Sequence, residues 1–171
     1  DADYLSTNQL DDYVAVVTIG GKDVYLDPGE KMCPYGLLAW KHTLASGLRV
    51  SGKGAVITAT PSNLYSQNVV DRVADLTIAP DGSVTGTVRF VMNGQEALRW
   101  RQIAIRNDAD EVKKRFNEWA RGIVPDGVQV DFDHFLGMDE YGSNLVGIVK
   151  VSGQVGTATG KHFFLPGMFF E

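Results

Sequence analysis

Val70-Asp71-Arg72-Val73-Ala74-Asp75-Leu76-Thr77-Ile78-Ala79-Pro80-Asp81-Gly82-Ser83-Val84-Thr85-Gly86-Thr87-Val88-Arg89-Phe90-Val91-Met92 reads as two strands around a tight turn. Val70, Ala74, Leu76 and Ile78 occupy alternate positions, with Arg72 as the exception. Beyond Ala79-Pro80-Asp81-Gly82 the apolar set is Val84, Val88, Phe90 and Met92, opposite Ser83, Thr85, Thr87 and Arg89. A period of two on both sides of a Pro-Asp-Gly turn predicts a half-buried antiparallel hairpin. The period then changes. Residues 94–106 form a helix candidate, with Ala97, Leu98, Trp100, Arg101 and Ile105 at mixed spacings, broken at Asn107-Asp108. Asp108 with Glu111 three residues on is an N-cap signature. Val112, Phe116, Trp119, Ala120 and Ile123 then make one apolar stripe, and Gly122 and Pro125 close a helix over 109–122. Strands resume at Val128–Phe132, Leu145–Val151 and His162–Leu165. Strands, two helices and strands again predict an α+β fold, with an antiparallel sheet or sandwich against helices 94–106 and 109–122.

Upstream, the β-branched run from Val14 to Ile19 suggests a strand buried on both faces. Gly20-Gly21 turns the chain and Val24 to Leu26 returns it, a short hairpin. Residues 33–63 are rich in Gly, Pro, Ser and Thr and read as a crossing connection, with one strand at Ala55–Ala59 and a boundary near Pro61-Ser62-Asn63. The expected organisation is residues 1–45, a connecting segment 46–63, and a β-rich unit 64–171.

The chain of 171 residues is long enough to bury a real core. Its net charge of −5 argues against a nucleic-acid or anionic-membrane surface. The charge is unevenly spread: Arg99, Arg101, Arg106, Lys113, Lys114, Arg115 and Arg121 crowd one segment, which reads as a solvated helical face. Cys33 is the only cysteine, so neither an intramolecular disulfide nor a Cys-based metal site is available. No apolar run approaches the ~18 residues of a membrane span. The greasy run Phe163 to Phe170 is broken by Pro166-Gly167 and reads as a buried strand.

Lys22-Asp23-Val24-Tyr25-Leu26-Asp27-Pro28-Gly29 is a strand ending on a carboxylate, followed by an abrupt turn. It resembles the end of a transglutaminase-like (papain-like) core, in which a Cys nucleophile, a His and a strand-terminal Asp follow one another. The resemblance extends over Asn8-Gln9-Leu10-Asp11, Cys33-Pro34-Tyr35-Gly36-Leu37-Leu38-Ala39-Trp40, Gly47-Leu48-Arg49 and Gly94-Gln95-Glu96-Ala97-Leu98-Arg99. It points to bacterial proteins that join an N-terminal domain of unknown function, such a core and a β-rich C-terminal region. By that resemblance Asp27 matches the acid of a triad. The family's His falls at Asp12, and a carboxylate cannot replace an imidazole base near neutral pH. Only 26 residues precede Asp27, too few for the nucleophile-bearing helix, so the expectation is a fragment of a larger protein, with Glu171 as a further truncation.

Other candidate sites each have a structural alternative. Asp27 before Pro28 is also an ordinary turn starter. Cys33 is the only thiol nucleophile available, but it lies in a loop rather than at a helix N-terminus, and reads as a buried structural residue. His42, His134 and His162 form no paired ligand motif, and a metal would need two of them with Asp131 or Asp133. In Asp131-Phe132-Asp133-His134 alternation would place Phe132 and His134 on one face. Asp131, Asp133, Asp139 and Glu140 lack an EF-hand pattern. The site expectation is therefore no metal and no cofactor. Trp40, Trp100 and Trp119 are the indoles able to form a platform, with Trp119 in the helical stripe. Trp100 and Tyr141 are the candidate binding residues.

The sequence therefore suggests a noncatalytic accessory region that supports a transglutaminase-like core, the rest of its own parent chain, and binds a partner. The resemblance implies a periplasmic or cell-envelope setting. The alternatives are a protein- or glycan-binding β-module, which would add a partner strand at an exposed sheet edge or hold glycan on its aromatics, and a thiol-dependent transglutaminase or peptidase-like enzyme in the parent. Separately, apolar edges of the N-terminal hairpin would pair with a second copy. Neither nucleic acid nor a membrane span enters any of these expectations.

Overall fold

The computed structural model describes residues 10–159 and 162–164, the last strands (157–159 and 162–164) by backbone alone. The fold is α+β. The elements are β1 (Ala15–Ile19), β2 (Lys22–Leu26), β3 (Ser46–Ser51), β4 (Gly54–Ala59), β5 (Val70–Ile78), β6 (Ser83–Met92), α1 (Gly94–Arg106), α2 (Ala109–Arg121), β7 (Val128–Leu136), β8 (Leu145–Gln154), β9 (Thr157–Thr159) and β10 (His162–Phe164). β5, β6, β8 and β7 lie side by side in that order as one antiparallel sheet, and β1–β2, β3–β4 and β9–β10 are separate two-stranded hairpins. Leu165 and the rest of the greasy tail lie outside the described residues.

The period-two hairpin forms as predicted, with Val70 opposite Met92 and Ile78 opposite Val84. Val84, Val88, Phe90 and Met92 are buried on one face, with Val128, Val130, Phe132, Leu145, Val149 and Val151 from the neighbouring strands. Trp100 from α1 and Phe116 and Ala120 from α2 close this core. Phe116 sits at the centre, with ring centroids 4.7 Å from Trp100 and 4.8 Å from Phe132. Gly147 makes that seat: a Cβ there would come within 2.4 Å of the Phe116 ring. α2 starts as its sequence requires, the Asp108 carboxylate accepting the Glu111 N–H at 2.8 Å. The start of α1 is less local. Gly94 has φ 52° and passes against the Gln67 carbonyl, and Asn68 Oδ1 accepts the Gln95 N–H at 2.9 Å.

Four expectations change. β1 is not buried on both faces: Val17 and Ile19 are exposed, because among the described residues no element besides its hairpin partner β2 packs closely on it. Within the stretch read as a connection, the strand expected at Ala55–Ala59 forms as β4, but it pairs with an unexpected β3 as a hairpin, Ser46 opposite Ala59 and Ser51 opposite Gly54. β5 buries less than its alternation implies. Its Ala74 and Ile78 are exposed, since it is an edge strand beyond the reach of the helices. In β7 a bulge between Phe132 and His134 shifts the register, so Phe132 faces Val149, His134 faces Ile148 and Phe135 faces Gly147. The extra residue puts Phe135, not His134, beside Phe132, at 4.7 Å between centroids. No helix among the described residues is long and apolar enough to cross a membrane.

Candidate functional site

Asp27 ends β2 with its side chain fully enclosed. Its Oδ2 accepts the Ala39 N–H at 2.9 Å and lies 2.7 Å from His42 Nδ1. His42 closes a single 3₁₀ turn, Trp40–His42, and is itself buried. The Asp-Pro turn sends the chain away from β2, and the Ala39 N–H bond brings it back, so the two side chains meet 15 residues apart. The carboxylate accepts from Nδ1–H, which leaves Nε2 as the nitrogen free of Asp27. Asp12 Oδ2 stands 3.1 Å from Nε2, an ion pair when the ring is protonated. The oxygen lies off the ring N–H direction, so Nε2 makes no aligned hydrogen bond, and Asp27 Oδ1 is likewise buried without a partner.

Lys41 frames this pair from outside. Its ammonium reaches Asp12 at 2.8 Å and Glu30 at 2.6 Å. Lys41 is the main reason that the Asp12 carboxyl is held down at about 2, helped by the Tyr13 N–H. It also lowers Glu30, and the two carboxylates together raise Lys41 itself. His42 and Asp12 both line a groove of about 320 Å³ whose walls also include Tyr13, Lys41, Leu48 and Thr60, but Nε2 itself is buried behind Asp12. Asp27 and His42 thus stand as an orienting acid and an imidazole do in general-base chemistry.

The thiol does not join them in a reactive state. Cys33 Sγ donates to the Leu37 carbonyl at 3.3 Å. Burial, then the charges of Asp27 and Glu30, push it up to about 12. Met32 and Cys33 pack instead against the small apolar cluster of Leu37, Ala39 and Leu98.

The remaining candidates disperse. His134 pairs with Asp133 at 2.6 Å, and Asp133 also binds Lys150 at 2.7 Å. Lys150, then His134, holds the Asp133 carboxyl below its usual range. Asp131 pairs with Lys113, and only the backbone of His162 is described. Among the described residues no three His, Cys, Asp or Glu side chains converge as a metal site. Trp100 is fully buried, its indole N–H donating to Glu96 at 2.9 Å, so it is no ligand platform. Tyr141 is half-exposed, and its carbonyl serves Arg101. The exposed indole is Trp40, with 76% of its surface open.

Two residues named in the sequence have partners that the sequence does not disclose. His42 has no local motif with Asp27; its only signal is being the one imidazole within a short loop of it. Arg101 was visible as a cation among apolar residues of α1. Its buried guanidinium donates through Nη2 to the carbonyls of Gly137 and Glu140 at 2.8 Å and Ser143 at 3.0 Å, and through Nη1 to Tyr141. The loop 137–143, with its acidic residues, is therefore organised around an internal cation. No protein-family model, curated protein or solved structure matches the chain.

Proposed function

We propose that this chain is a noncatalytic accessory region of a bacterial transglutaminase-like protein of the cell envelope, supporting the core and binding a partner. The state of Cys33 carries this reading. It is the sole thiol of the 171 residues, and it is half-buried, bonded to a backbone carbonyl and held protonated far above neutral pH. A thiol of that kind supplies no thiolate nucleophile. In this reading Asp27 and His42 are a latch: one carboxylate fixes both ends of the 27–42 excursion. Alkylation of Cys33 by iodoacetamide at pH 7.5 is the test. The expected rate is well below that of a free model thiol, and a rate at or above it would reject the reading.

One observation favours a second reading. The 2.7 Å contact of Asp27 with His42 Nδ1 is the orientation a general base needs. The chain would then supply the acid–imidazole part of a thiol enzyme, with His42 in the role that the resemblance assigns to position 12, and Asp12 blocking Nε2. Under this reading Asp12→Ala hydrolyses an activated ester faster than wild type, and His42→Gln abolishes the gain. Equal rates for all three proteins would remove it.

A further inference from the structure

A second groove, of about 840 Å³, runs between the Trp40 turn and α1, away from the Asp27–His42 pair. Its walls carry four cations, Lys41, Arg99, Arg106 and Arg115, against two carboxylates, Glu30 and Glu96. Both carboxylates are engaged. Glu30 accepts from Lys41 and Gln102, and Glu96 from Arg99 and the Trp100 indole. The arginines are not spent in the same way. Arg99 uses one terminal nitrogen on Glu96, and Arg115 uses only Nε on Glu111. Arg106 has no ion pair among the described residues. A protein of net charge −5 thus presents a cationic groove rich in open donors.

Trp40, the most exposed indole, also lines the groove. Its backbone is fixed, its N–H donating to Gln95 Oε1 at 3.1 Å. Its ring has nothing to cover it, which is unusual for a side chain of this size.

We propose that this groove binds an acidic peptide segment, with carboxylates on Arg106 and Arg115 and an apolar side chain on Trp40. Charge and donor inventory select that class. Guanidinium forks take carboxylates bidentately. A neutral glycan brings hydroxyl donors as well as acceptors, and the groove has no uncommitted carboxylate pair to receive them. The inference stands whether or not His42 is catalytic, since none of these groups touches it except through Lys41.

The test is calorimetric titration of the whole chain with a blocked peptide containing Glu-Phe-Glu, against the same peptide with Gln-Phe-Gln. The acidic peptide is expected to bind at least about tenfold more tightly, and less so as salt rises. Arg106→Glu and Trp40→Ala, both exposed and outside the core, should each weaken it by about tenfold or more while leaving the melting temperature unchanged. Equal binding of the two peptides, no binding of either, or indifference to both substitutions would overturn the proposal. Tighter binding of an oligouronate than of the acidic peptide would overturn the assignment to a peptide.

Discussion

Arg101 and His42 show how a side chain's meaning depends on what the fold brings to it. Arg101 occupies the buried face of α1, where a cation is costly unless satisfied. Carbonyls of residues 137–143 satisfy its two terminal nitrogens, while Nε is buried without a partner, so removing the fork leaves a loop of converging oxygens with nothing to bind. Arg101→Met, which retains volume but no donor, is expected to lower stability by roughly 2–4 kcal/mol. Arg101→Lys should recover only part of it, because an ammonium lacks the planar fork. Denaturant unfolding measures both, and a Met variant as stable as wild type would show that the loop is organised by something else. The same scale shows what the sequence hides. Asp27 was visible as a strand-terminal carboxylate before Pro28, a local signal. Its partner was not, because the His42 contact depends on the path of the whole 27–42 excursion. Asp12 was visible only as a departure from a resemblance; its place beside Nε2 is tertiary.

Elements whose signals are local were the most legible. α2 carries its cap, its stripe and its stop in consecutive residues, and it forms with Asp108 bonded to Glu111. The β5–β6 hairpin announces itself by period two. β3–β4 does not. The residues of the pair are mostly exposed, so no alternation of polar and apolar positions marks β3 or the pairing. The β7 bulge was equally silent, since one inserted residue changes the face of His134 and Phe135 without changing composition. The segment before β1 is held differently, by charge. Asp12 binds Lys41 across the loop, and its carboxyl falls from an ordinary 3.8 to about 2 because of that bond. A carboxyl lowered in the folded state contributes stability above its unfolded value and loses it as pH falls through the folded one. The attachment of this segment is therefore expected to be intact above about pH 4 and to be lost progressively towards pH 2. An NMR titration of residues 10–14 and 41–42 would follow it. In Asp12→Asn the step should vanish; its persistence would assign it to another group.

At the scale of the whole molecule, the described residues form two apolar centres of very different size. One gathers strands from β6, β7 and β8 with Trp100 and Phe116. The other is three buried residues, Leu37, Ala39 and Leu98, with Met32 and Cys33 beside them. A two-stranded hairpin is marginal by itself in water, and the 27–42 segment that follows β1–β2 and leads to β3–β4 is fixed to α1 by that small centre and by polar ties. The ties are few and specific: Gln95 donates to the Leu38 carbonyl and accepts from Trp40, and Gln102 reaches Glu30. Opening free energies should therefore fall into two classes. Amides of β6 and β8 are expected to exchange with solvent only by global unfolding, and those of β2 and β3 by an earlier, smaller opening. Gln95→Ala removes both ties to the 38–40 segment. It should speed exchange at residues 27–50 by about tenfold or more, as loss of two hydrogen bonds worth roughly 1 kcal/mol each implies, and leave β8 unchanged. If β3 and β8 exchange with one free energy, and Gln95→Ala slows or speeds them together, the two centres unfold as a single unit and the small one is no separate hinge between the Asp27–His42 pair and the sheet.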